Sequence, residues 1–355
     1  METQKDMHEM LEMMMQPSFF VKQGMITTVN QAARQLLIEP NTPVCGILGN
    51  NMEEYETFQS GCLCLTLTIA GCNLHASVRR LNDYDLFVID QAADLPELKA
   101  MALTATGLRE PLSAVMALST QLLGDLANSS DPSKQAKISE MNRRLSQLHR
   151  NICNMAEAIQ YETNSTPPMS YQDICAVLAE IFDKSAVLLD KAGFTLHYCG
   201  PREPIYCAIC PERLERAIYN ILSNSMKSAP NGCTIEAKLT HRNSKLYLSV
   251  QDDGPGVPEH LLSSIHCRYL RNPGIESHPW GLGLGMVLIR GAAAAHGGAV
   301  LIDQPKEHGT RVTMSIAIRH SKDSILRSTI IQADYAGGHD HGLLELSDVL
   351  SPDFY

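Results

Sequence analysis

Asn220, Asn224 and Lys227 stand four and three residues apart in RLERAIYNILSNSMKSA, a spacing that puts all three on one face of a helix. An amide oxygen on such a face is a hard ligand suited to Mg²⁺, and a lysine one turn on can meet phosphate charge. Alone, the pattern would describe an ordinary solvated face. In VQDDGPGVP a strand runs into Asp252, and Gly254 and Gly256 let the backbone turn close to whatever the carboxylate holds. A strand-end carboxylate can accept a hydrogen bond from an exocyclic amine such as that of adenine, although an isolated DG pair would read as a plain turn. GLGLGMVLIR places Gly281, Gly283 and Gly285 just before and into a helix, where bare amides and the positive helix end can cradle phosphates. The stretch before it, with Arg268, Arg271, Pro273 and Pro279, suits a mobile lid, and HGTRVTMSI puts Gly309 and Thr310 at the start of a strand.

The elements that must position these residues alternate over 170–320. Helices are expected near 171–190, 211–228 and 284–296, and strands near 194–199, 205–210, 233–240, 245–251, 299–303 and 310–318. Short turns between successive strands predict an antiparallel or mixed sheet with helices on one side. Residues 97–163 differ. Met101, Ala105, Leu108, Leu112, Val115, Ser119, Leu122 and Leu126 follow a four-three rhythm, repeated by Ile138, Met141, Leu145, Leu148, Ile152, Met155 and Ile159. The break at Asn128–Pro132 makes this a helical hairpin, and two helices with one apolar stripe each close a core most simply by pairing with a second copy into a four-helix bundle. A hairpin resting on a neighbouring domain is the other reading.

Composition sets limits. The 355 residues are 44% hydrophobic and 19% charged, with Lys+Arg 29 against Asp+Glu 39 for a net charge of −10. That length provides two or three units with ample core, and the acidic balance argues against a phosphate-backbone binder, hence no nucleic acid. No apolar run approaches the ~18 residues of a membrane span, and METQKDMHEM lacks the features of a signal peptide, so a cytoplasmic location is expected. The eleven cysteines, Cys62/Cys64 and the Cys207/Cys210 pair included, read as reduced, small buried hydrophobes.

Taken in order, the motifs resemble those of the sensor histidine kinases of two-component systems, within the gyrase-type ATPase superfamily, over roughly residues 97–319. NILSNSMKSA resembles the family's N box, DDGPG its G1 box, GLGLGM its G2 box, and HGG at 296–298 and GT at 309–310 its trailing signatures. The resemblance implies that ATP is bound by Asn220, Asn224, Lys227, Asp252, Gly254, Gly256, Gly281, Gly283, Gly285 and Thr310, with Mg²⁺ on Asn224. Of the lid's aromatic box only His266 and Tyr269 stand near the expected places. The phosphoacceptor motif departs from the family: Thr106-Gly107-Leu108-Arg109-Glu110-Pro111-Leu112 aligns with His-Glu-Leu-Arg-Thr-Pro-Leu. Thr106 replaces the nucleophilic imidazole with an unactivated hydroxyl, and Gly107 replaces the acidic neighbour. His149 is the nearest alternative acceptor, with an exposed polar position as its other reading.

Residues 17–92 show strand, turn, strand, an Asn30-capped helix, then a three-stranded meander, an order that resembles a PAS sensor domain. The expected protein is therefore a multidomain α+β chain. It has a PAS-like α/β domain (1–92), a helical-hairpin dimerisation domain (93–166), an α/β sandwich ATP-binding domain (167–320) and a flexible tail (321–355), whose short apolar segment LLELSDVL can dock as an isolated helix. The resemblance implies a homodimer and a response regulator as possible partners. An ATPase without phosphorelay is the first alternative. A dinucleotide-binding oxidoreductase, with Asp303 on the ribose, is the second.

Overall fold

The structure, a computed structural model, describes residues 8–90, 104–105, 107–108, 112–119, 121, 132–162, 167–257, 284–305, 308–319 and 338–355. Thr106, Gly281, Gly283 and the expected lid lie outside the described residues.

The chain opens with β1 (Ser18–Lys22), β2 (Met25–Val29), α1 (Gln31–Gln35), α2 (Cys45–Leu48), α3 (Met52–Thr57), β3 (Cys62–Ile69), β4 (Cys72–Leu81) and β5 (Tyr84–Ile89). Asn30 caps α1 as its spacing predicts, its side chain accepting from Ala33 N at 2.9 Å. After α4 (Pro132–Glu162) come β6 (Ser170–Asp173), α5 (Ile174–Lys191), β7 (Thr195–Cys199), β8 (Tyr206–Ile209) and α6 (Pro211–Ser228). The chain continues through β9 (Thr234–Arg242), β10 (Lys245–Asp252), α7 (Gly285–Ala295), β11 (Val300–Asp303), β12 (Arg311–Ala317) and α8 (His341–Glu345).

Ten strands form one sheet in the order β2-β1-β5-β4-β3-β11-β12-β10-β9-β7, and β6 pairs with β8 separately. The pairings are antiparallel except for β7 with β9, which gives the mixed sheet expected from the sequence. The join between the N-terminal and C-terminal halves is β3 against β11, with Cys62 opposite Ile302 and Cys64 opposite Val300. Strand alternation then divides β3 between two cores. Cys62 and Cys64 pack with α5, α6 and α7, and Leu63, Leu65 and Leu67 pack into the N-terminal core with Phe19 and Phe87. Buried ion pairs cross the same boundary: Lys245 Nζ to Glu54 at 2.6 Å, and Arg290 with Asp90.

The hairpin seam is only half covered: Ala105, Leu112, Met116, Ile152 and Ala156 pack together, whereas Leu108, Val115, Met141 and Leu148 are each more than 40% exposed. His149 is buried rather than exposed. Residues 338–355 are not a loose end, because Leu344, Leu346 and Leu350 are buried and the last two join the core of α5 and α6. The CxxC thiols are buried, and burial pushes Cys207 up to about 12, which suits an inert packing role.

Candidate nucleotide site

The helix α6 is amphipathic for a simple reason. Leu214, Ala217, Ile218, Ile221, Leu222 and Met226 recur at helical spacing and enter the core, and Pro211 at its first turn costs no hydrogen bond. The opposite face is thereby fixed in rotation. Asn220 is buried there, its amide nitrogen donating to Arg216 O at 2.8 Å. A side chain at Gly285, the first residue of α7, would begin 3.0 Å from Asn220 Oδ1. The helix of the amides and the helix that follows the glycine run therefore meet at this pair. Asn224, one turn on, is exposed and so open to a ligand.

Asp252 closes the other side. It ends β10 and is buried, yet its carboxylate is well supplied with donors: Gly254 N and Thr310 N reach Oδ1 at 3.1 Å each, and Ser225 Oγ reaches Oδ2 at 2.9 Å. Those bonds fill Oδ1 and leave Oδ2 with an accepting position, which is what an exocyclic amine needs. Gly309, at φ +88°, lies so close to the Asp252 carbonyl that a Cβ would overlap it, so only glycine lets the β12 loop carry Thr310 onto the carboxylate. Gly256 sits alongside, 3.1 Å from Gly309 O to where its Cβ would be. Beside this acid cluster the Cys233 thiol is pushed up to about 11 by burial and by Asp252 and Asp253.

Lys227 is engaged by the C-terminal segment. Its Nζ donates to Asp348 Oδ2 at 3.1 Å, and Arg150 Nη1 donates to the same oxygen at 2.6 Å. Burial works to raise the Asp348 carboxyl, but Arg150 and Lys227 overcome it and hold the group below the usual carboxylate range. Arg150 also reaches Glu345 Oε2 at 3.3 Å and Asn220 Oδ1 at 3.2 Å, and Arg216 bonds Glu345, Glu157 and Asn154. This buried ionic lattice ties α4, α6 and the C-terminal segment together.

Sequence reasoning did not find Ser225, Arg150, Arg216, Glu345 or Asp348. Ser225 carried a signal, since it lies one residue after Asn224 in the same motif. The others come from distant segments whose charges look like ordinary surface charges in one dimension. Asp303, the acid of the oxidoreductase reading, is held by Arg311 in a paired contact, and its strand lies in an antiparallel part of the sheet. That reading is corrected.

Residues 210–320 match the family described as histidine kinase-, DNA gyrase B-, and HSP90-like ATPase. They form a histidine-kinase-type ATPase domain. The adaptive-response sensory kinase SasA of Synechococcus sp. (strain CC9311) is 26% identical over 224 residues, 62% of this chain and 56% of that protein. The sensor-like histidine kinase SenX3 of Mycolicibacterium smegmatis is 23% identical over 262 residues, 70% of this chain and 66% of that protein. Hybrid signal transduction histidine kinase D of Dictyostelium discoideum is 25% identical over 70% of this chain, but the match covers 17% of its own length. The chain thus spans about half, or much less, of several kinases it resembles. Full-length ShkA in complex with AMPPNP shares the fold at a TM-score of 0.51 and 16% identity, over 63% of this chain and 46% of that one. In the ATPase domain, the buried His296 of the HGG signature serves packing: Cys210 N donates to Nε2 at 3.0 Å and Nδ1 bonds Ala292 O at 2.6 Å. Among the described residues no helix is long and apolar enough to cross a membrane.

Proposed function

We propose that this chain is a histidine-kinase-like signalling protein that binds Mg-ATP between α6, the end of β10 and the start of α7, and does not phosphorylate itself on the usual site. The observation that carries the nucleotide reading is the Asp252 carboxylate, with Oδ1 filled by backbone amides and Oδ2 keeping one accepting position. In this reading Asp252 takes the adenine amino group and Gly254, Gly256 and Thr310 shape the base pocket. Asn220 and Asn224 line the phosphate side, and Gly281, Gly283 and Gly285 offer amides to the triphosphate. Asn224, exposed on its helix, is the Mg²⁺ ligand. Bound Mg-ATP supplies a transferable γ-phosphoryl group. Lys227 meets the phosphates once they displace Asp348 from its ammonium group.

The remaining parts follow the same reading. The order β2-β1-β5-β4-β3, with helices between β2 and β3, supports a PAS-like sensor unit in residues 1–92. The exposed seam positions of residues 93–166 support a dimerisation hairpin that completes a four-helix bundle with a second copy. The ATP-binding unit extends over 167–320, and a response regulator is the partner the family implies. Thr106 at the acceptor position is followed by Gly107 where the family has an acidic residue, so phosphoryl transfer to the hairpin is not expected. Hydrolysis without a relay is disfavoured because the water-orienting position holds Asn220, whose Oδ1 already accepts from Arg150. Mass spectrometry of the full chain after incubation with Mg-ATP, under conditions that preserve phosphoramidates, tests this. No acid-labile phosphate is expected on the native chain, and Thr106→His with Gly107→Glu is expected to acquire it. Phosphohistidine on the native chain would overturn the proposal.

A further inference from the structure

A cavity of about 310 Å³ opens where the three parts of the chain meet. Thr66 and His75 reach it from β3 and β4, Tyr161 from the end of α4, Arg213 from the first turn of α6, and Arg319 from just after β12. Its volume lies at the lower end for small-molecule pockets. Its charge is one-sided, because the described lining holds two guanidinium groups and no carboxylate. Arg213 is buried and faces Glu157 at 3.8 Å, a longer separation than the contact Glu157 makes with Arg216. The Arg319 guanidinium lies against Gly297. Both guanidinium groups add to burial in holding the His296 imidazole down at about 4, so their positive potential reaches into the protein.

A second observation points to a ligand. Asn51 is 5% exposed and lines the cavity. Its Nδ2 donates to Thr66 O at 2.8 Å, but its Oδ1 has no partner among the described residues. A buried acceptor of this kind is ordinarily paired. The Tyr161 hydroxyl and His75 Nδ1, 2.7 Å apart, add further polar groups on the same wall. The cavity shares no lining residue with the nucleotide site: on α6, Asn220 of that site lies seven residues from Arg213, about 10 Å by helical rise, and Lys227 about 21 Å.

We propose that this cavity binds a small organic anion, with one phosphate or carboxylate between Arg213 and Arg319 and a hydroxyl or amine donating to Asn51 Oδ1. Such a ligand touches the N-terminal unit, the hairpin and the ATPase domain at once. The full chain titrated calorimetrically with ribose 5-phosphate, gluconate and neutral ribose tests the assignment and separates the phosphate from the carboxylate source. One of the two anions should bind at one per chain in the micromolar to millimolar range, and neutral ribose should give no heat. Arg319 is exposed, so Arg319→Glu should fold as the native chain does and weaken binding by about tenfold or more. Thr68→Val, on the exposed rim, should weaken it less. The proposal is overturned if neither anion binds at millimolar concentration, or if Arg319→Glu binds as tightly as the native chain. It is equally overturned if binding survives Arg319→Glu and is lost in Lys227→Ala, which would place the anion in the nucleotide site.

Discussion

At the scale of single residues the account turns on two buried groups in the ATPase domain. Asp252 combines three donated hydrogen bonds with one open acceptor position. Asp252→Asn would set an amide where the adenine amino group needs an acceptor, so ATP affinity should fall by about tenfold or more in calorimetry while the chain stays folded. His296 makes a separate prediction. Its folded-state value, held at about 4 by burial, lies below its ordinary value of 6.5. The native imidazole therefore stays neutral where the unfolded one has already taken a proton. The stability it contributes is present above pH 6.5 and is lost as pH falls towards 4, by roughly 3 kcal/mol over that window. Urea denaturation across this range should show the slope in the native protein and a flatter profile in His296→Gln. Asp252 and its glycines were legible in the sequence because a strand-end acid followed by glycines is a short-range pattern. Arg150 and Asp348 were not, because their roles exist only once α4 and the C-terminal segment pack on α6.

At the scale of elements, α4 and the hairpin show how periodicity can be right about an apolar face and silent about what covers it. The four-three rhythm named Leu112 and Ile152, which are buried, and equally Leu108, Val115, Met141 and Leu148, which are not. Within one chain the stripe is wider than the contact available to it. In the proposed dimer a second copy would supply the missing surface, and burying side chains of this kind contributes about 1.5–3 kcal/mol each. Val115→Glu with Leu148→Glu should therefore shift the protein from dimer to monomer in sedimentation velocity, without changing its fold by circular dichroism. A native chain that sediments as a monomer at micromolar concentration would contradict the dimer. The C-terminal segment is the opposite case. Its short apolar LLELSDVL run reads as a segment that can dock within a flexible tail, but the sequence does not show where: docking buries Glu345 and Asp348 against Arg150, Arg216 and Lys227. Such pairing is invisible in one dimension because each partner lies in a different element.

At the scale of the molecule, the two halves are one sheet. Local alternation identified β3 and β11 as strands, but nothing local could show that they pair, since register across such a separation is set by packing on both faces. The Lys245–Glu54 pair and Ser315, which bonds the same carboxylate at 2.6 Å, hold this junction. Glu54→Gln leaves Lys245 buried without its counter-charge and should cost about 3–5 kcal/mol, with the N-terminal half unfolding ahead of the ATPase domain in a denaturant titration. Adding Lys245→Met should recover much of that loss, a coupling that independent sites would not show. The proposed nucleotide site lies between α6, Asp252 and α7 in this arrangement. The most direct test is a calorimetric titration of the full chain with Mg-ATP, repeated without Mg²⁺ and with Asn224→Ala. The account predicts one ATP per chain, weaker binding without Mg²⁺, and loss of that Mg²⁺ dependence in the variant. A folded chain that takes up no ATP at millimolar concentration would contradict it.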